Sequence, residues 1–226
     1  MIEQQKNVQL NGQPLWQQRL QQIKRPLAAA ILCTSVLVSL QGCVGMMVGG
    51  AVVGTLAATD RRTLGAQTED KAIVVKGELR IPSLVGDAGH ANITSFNRRV
   101  LLTGEVRDAQ MKAAVEREAQ QIQGVKTVVN ELEIAGPSSY TSRASDTLIT
   151  GKVKASFVDT QDLYANSVKV VTERGIVYLM GRVTQREGDL AGSIAGGVSG
   201  VQRVVKVFDY ITEEDLSSLT LEKAAN

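Results

Sequence analysis

Histidine occurs once in the 226 residues, at His90, and cysteine twice, at Cys33 and Cys43. Trp16 is the only tryptophan, and aromatic residues make up 4% of the chain. A Ser-His-Asp relay or a zinc site assembled from His and Cys has almost no material here. His90 is a solitary polar residue in a Gly-rich loop and is expected to be solvated. No GxGxxG or Walker pattern follows a strand, so no phosphate-cradling loop is implied. An enzyme is therefore not expected, nor a cofactor, nor a metal. A large basic excess is missing as well. The formal net charge is +2, but Lys6, Arg19, Lys24 and Arg25 against Glu3 place +3 in residues 1–42, and the remainder stands near −1. That argues against a nucleic-acid binder, which needs a basic face to neutralise phosphates.

A long apolar span is also lacking. The run Leu27–Leu40 has 14 residues, short of the roughly 20 that cross a bilayer core. It follows Lys24-Arg25 and ends in small residues, which is the pattern of a secretory signal. Its end, Leu40-Gln41-Gly42-Cys43, resembles the lipobox of bacterial lipoproteins. Leu40 is the apolar residue three positions before the cysteine, and Gly42 is small enough for a peptidase site. The resemblance implies that 1–42 is a cleaved signal peptide and that Cys43 carries the lipid, with palmitate on the new amine. Each buried CH₂ stabilises such attachment by about 0.8 kcal/mol, and more than one chain makes it stable. With Cys33 discarded and Cys43 acylated, no thiol remains for a disulfide or a nucleophile. Val44 in place of Asp implies, by the same resemblance, delivery to the outer membrane.

What the chain does contain is a glycine-rich tether and a repeat. Residues 43–68 begin apolar and glycine-rich, and the polar Thr59–Thr63 closes that stretch. Beyond it, Asp70 and Ile73 match Asp146 and Ile149, VLLTGEV (Val100–Val106) matches VYLMGRV (Val177–Val183), and GVKTVVN (Gly124–Asn130) matches GVQRVVK (Gly200–Lys206). The offset is 76 or 77 residues, too long for a solenoid and right for two tandem domains. In the second unit, Ser145 or Asp146 is placed to cap a helix with Ile149, Val153 and Phe157 on one face. Ala165–Val171 and Ile176–Val183 form a hairpin about Glu173-Arg174-Gly175. A helix over Arg186–Val198 and a strand over Arg203–Tyr210 complete it. In the first unit, helix and strand compete over Lys71–Ile81, Pro82 ends that segment, and Asp108–Gln123 is helical. Gly104 and Gly181 lie within strands, where glycine marks a bulge or a close approach. The tail 212–226 is acidic and expected to fray.

The duplicated pattern V-x-L-x-G-x-V, followed some 20 residues on by G-V-x-x-V-x-[NK], resembles the BON domain of bacterial periplasmic proteins. The order of lipobox, tether and two such units resembles the dual-BON outer-membrane lipoproteins. The resemblance implies an α+β fold of two tandem BON domains, 69–136 and 137–211. Each would be a three-stranded mixed sheet with two helices on one face, in the order α-β-β-α-β.

The resemblance further implies that the first helix of the second unit contacts anionic phospholipid of the phosphatidylglycerol type. On a helix from Asp146 to Phe157, Leu148, Gly151, Lys152 and Ala155 fall outside the buried face, and Lys154 can add from the side. An apolar residue beside a lysine suits a membrane surface, at roughly 1 kcal/mol per basic residue near anionic lipid. Residues 137–211 carry nine basic and seven acidic groups against nine and ten in 69–136, so the second unit is the expected binder. The expected function is a periplasm-facing, non-enzymatic lipoprotein that supports outer-membrane integrity and division-linked envelope processes. The alternative is a scaffold that docks envelope assembly proteins or regulators of peptidoglycan hydrolysis.

Overall fold

Each half of the chain is organised around one hairpin whose central strand is apolar on both faces. The computed structural model describes residues 60–160 and 163–224; the leader, Cys43 and the tether as far as residue 59 lie outside them. The first half runs α1 (Leu64–Val85), a 3-10 turn (Gly86–Ala88), β1 (His90–Phe96), β2 (Arg99–Val106), α2 (Ala109–Gln120), β3 (Thr127–Asn130) and β4 (Glu133–Ile134). The second half runs α3 (Tyr140–Val158), a 3-10 turn (Ala165–Ser167), β5 (Val168–Glu173), β6 (Ile176–Val183), α4 (Gln185–Gly196) and β7 (Arg203–Tyr210), followed by α5 (Glu213–Ala224). In both halves the hairpin is antiparallel and the later strand joins the central one in parallel. The expected α-β-β-α-β order and a mixed sheet are therefore present in both halves; in the first, the short β4 adds a fourth strand by pairing in parallel with the end of β2.

The repeat has a physical cause. Both hairpins turn through two residues at positive φ: Asn97 and Arg98 in one, Arg174 and Gly175 in the other. That is the turn geometry whose twist matches a β-hairpin. The backbone N–H groups of each turn donate to one helix aspartate. Asn97 N and Arg98 N reach the Asp70 carboxylate at 2.7 Å each, and Arg174 N and Gly175 N reach Asp146 at 2.9 and 2.8 Å. Asp146 is thus a buried helix-interior residue that holds the turn, not a cap. The cap of α3 is Ser139, whose hydroxyl accepts from Ser142 N, six or seven residues before the expected Ser145 or Asp146.

Three further expectations are corrected. The Lys71–Ile81 segment is wholly helical, and Pro82 does not end it. Pro82 removes only one donor near the C-terminus, while buried Ile81 and Val85 keep the last turn on the core and Gly86 N donates to the Pro82 carbonyl. Ala165–Ser167 is a 3-10 turn, so β5 starts at Val168. The tail does not fray from residue 212. Thr212 Oγ1 accepts from Asp215 N, Asp215 Oδ2 accepts from Thr212 N, and Glu213, Glu214 and Asp215 complement the positive end of the α5 dipole.

Alternation in β2 and β6 sends side chains into separate cores. Val100, Leu102 and Val106 pack under α1 and α2, and Val177, Leu179 and Val183 pack under α3 and α4. The opposite faces meet each other: Phe96 and Leu101 of the first sheet cluster with Ile176, Tyr178, Met180 and Val207 of the second. Each central strand is buried on both sides, which is why it reads as a continuous apolar run rather than an alternating one. Asp60-Arg61-Arg62 lies against both halves. Arg61 forks onto Glu187 at 2.7 Å through two nitrogens, and Arg62 bonds Asp70 at 2.8 Å with its guanidinium 4.1 Å from the Phe96 ring centre.

Candidate functional site

The inner face of α3 is fixed by Asp146, Ile149, Val153 and Phe157, all buried. At about 100° per residue the outer face is then set, and Leu148, Gly151, Lys152, Lys154 and Ala155 are all exposed. Leu148 is 67% exposed. Leu148 stands three and four residues before Gly151 and Lys152, and these stand four and three before Ala155, so the four form one stripe. Lys154 departs from the stripe toward β5. Lys169 of β5 pairs with Met180 and so lies on the face turned to the first sheet; its ammonium is held below the ordinary lysine value. Desolvation lowers it first and the charge of Arg62 lowers it further, against the opposing charge of Asp70, with Lys154 the smallest contributor, although the residue is exposed.

Two apolar residues of this face escape a helix begun at Asp146. Tyr140 opens α3 at 86% exposure and Val158 closes it at 72%. Both lie roughly 80° from Leu148 around the axis. The Arg143 guanidinium sits 4.9 Å from the Tyr140 ring centre, which presents an aromatic and a cation together. Ser139 just ahead of Tyr140 was the signal that could have found the earlier start. Among the described residues no helix is long and apolar enough to cross a membrane. Cys43, the expected lipid attachment site, lies outside the described residues.

A second constellation lies where the halves meet. His90 is not a solvated loop residue: it opens β1, half-buried, directly across from Glu105 of β2. Glu173 approaches from the end of β5. One ligand-capable atom from each of His90, Glu105 and Glu173 lies within 4.8 Å of the others. Glu105 is fully buried and Glu173 is 6% exposed. Burial pushes the Glu173 carboxyl above its usual range, and the charges of Glu105 and Asp146 add to this against a hydrogen bond from Asn92. An open cleft of about 300 Å³ runs past His90, Asn92, Arg143, Thr150 and Glu173.

The BON domain model matches residues 66–136 and 145–212 of the chain. A protein of Haemophilus influenzae named outer membrane lipoprotein DolP is 36% identical over 189 residues, covering 82% of this chain and 97% of the relative. A 21 kDa hemolysin of Actinobacillus pleuropneumoniae is 27% identical over 154 residues, covering 67% of this chain and 79% of its own. The osmotically-inducible protein Y of Escherichia coli is 32% identical over 152 residues, covering 62% and 72% respectively.

Proposed function

Because the chain belongs to the BON-domain family, with two copies in tandem, we propose that it is a periplasm-facing outer-membrane lipoprotein whose second BON domain binds anionic phospholipid through α3. On this reading 1–42 is the signal peptide, Cys43 the lipidated residue and 43–68 the tether. The first part of the reading is supported by the relative named an outer membrane lipoprotein and by the Leu40–Cys43 sequence. The lipid-binding part is carried by one observation. Helix α3 turns Tyr140, Leu148 and Val158 outward beside Lys152 and Lys154, and isolated apolar groups flanked by cations suit the headgroup region of an anionic bilayer.

The mechanism needs no high affinity. Cys43 holds the chain at the membrane, so the helix meets lipid at high effective concentration and weak contacts suffice. The aliphatic stems of the lysines lie along the helix while their ammonium groups reach lipid phosphate. Accumulation where anionic lipid is concentrated then gives a route to the integrity and division-linked roles. The reading is non-enzymatic.

The test is co-sedimentation of fragment 60–226 with liposomes containing or lacking phosphatidylglycerol, at low and moderate salt. Binding should require the anionic lipid, weaken with salt, and fall at least tenfold in Leu148→Glu without a change in melting temperature. Absence of binding under every condition would sink the lipid reading and turn the search to protein partners docking on the same face.

A further inference from the structure

We propose that His90, Glu105 and Glu173 form a site for one divalent transition-metal ion of the zinc class at the junction of the two BON domains. The donor set is one imidazole nitrogen and two carboxylate oxygens, the kind that leaves a fourth position for water on zinc. Ligand atoms of a tetrahedral zinc site stand roughly 3.4 Å apart, given bonds of about 2.1 Å. The three groups already lie within 4.8 Å of one another, so each pair has to close by no more than about 1.4 Å.

Burial separates this group from an ordinary acidic patch. Exposed carboxylates gather without consequence, but Glu105 and Glu173 are 0% and 6% exposed. Two like charges withdrawn from water call for a counter-charge. The cations present do not suffice. Arg174 stands 3.5 Å from Glu105 and Arg143 acts on Glu173 from across the cleft. Asp146 adds a third carboxylate on the same side, so three carboxylates face two guanidinium groups, one of them shared with Glu133 at 3.2 Å. An independent observation points the same way: His90 Nδ1 is buried and has no hydrogen-bond partner among the described residues.

Outer supports of the kind that orient metal ligands are in place. Asn92 Nδ2 donates to Glu173 Oε2 at 3.0 Å, and Ser138 N donates to Glu105 Oε2 at 3.2 Å. The cleft past His90 and Glu173 supplies an entry path and room for a water ligand. Hard cations fit poorly, since calcium takes six to eight oxygens and magnesium a near-ideal octahedron, where this site offers three protein donors including a nitrogen. Two ligands come from the first domain and one from the second, so the ion ties the domains together.

Because His90 is the only histidine, its imidazole reports the site without ambiguity. The full chain, with Cys33→Ser and Cys43→Ser to remove thiolate binding, is stripped with EDTA, dialysed and titrated with zinc chloride while the imidazole is followed by NMR. The expected result is saturation at one equivalent, with a higher melting temperature and no competition from a hundredfold excess of calcium. Glu173→Gln, which keeps the shape of the side chain, should bind zinc at least tenfold more weakly while melting like the parent in EDTA. An imidazole that does not respond to zinc overturns the proposal, and so does a folded Glu173→Gln with unchanged affinity. The NMR titration of the parent decides even if Glu173→Gln fails to fold.

Discussion

At Glu187 burial works against ionisation, yet the carboxyl is held below the usual glutamate range. Burial raises it first; the Arg61 guanidinium and the Thr184 N–H more than offset this. A carboxyl with a depressed folded pKa contributes stability that is complete above its unfolded value, near 4.3, and is lost as pH falls through the folded value. Arg61→Ala leaves this buried charge uncompensated and should cost about 3–5 kcal/mol at pH 7. The difference from the parent should shrink as the pH is brought below 4, where the mutant's Glu187 is protonated. Urea unfolding at both pH values checks this, and an unchanged gap in acid would remove the ion pair as the cause. Single residues were only partly legible in the sequence. The Asp70–Asp146 match is visible there, but not its role, because the N–H partners of Asp146 lie 28 and 29 positions downstream. Sequence distance also hid His90, whose neighbours Glu105 and Glu173 lie 15 and 83 positions away on two other strands.

Among the elements, helix α3 shows how far periodicity reaches. Ile149, Val153 and Phe157 placed the buried face correctly because burial repeats every four residues along this helix. The start was missed because Tyr140–Ser145 carries no buried apolar residue, and the cap lies at Ser139. Gly151 sits mid-helix with open space where a side chain would go. Gly151→Ala should therefore stabilise the protein by up to about 1 kcal/mol, seen as a higher thermal midpoint. Gly104 is the opposite case. It has φ +112, and a methyl carbon there would collide with the carbonyl oxygen of His90 across the hairpin. Gly104→Ala should cost about 1–3 kcal/mol in backbone strain and show as an earlier urea midpoint. Both strand glycines were readable as close-approach positions, because glycine inside an apolar strand leaves room for a neighbouring backbone that any side chain would fill.

For the whole molecule, the new element is the contact between the two sheets. The repeat announced two units and their internal order, because each unit's pattern is local. Their joining was not announced, because Leu101, Tyr178 and Met180 look like any other residues of a buried strand. Those residues bury apolar surface worth about 1.5–3 kcal/mol per side chain, and Tyr178 keeps its phenol protonated well above the usual pH through burial. Leu101→Asp should split unfolding into two transitions and increase the radius of gyration measured by X-ray scattering. A single transition with unchanged dimensions would mean that other contacts hold the halves together. One consequence concerns mechanical load. Arg61 and Arg62 are consecutive, yet one is clasped by Glu187 in the second domain and the other by Asp70 in the first. Tension arriving along the chain from the N-terminal side therefore meets two ion pairs side by side. It loads them in parallel, one in each domain, before it reaches the hydrogen-bonded strands of either sheet.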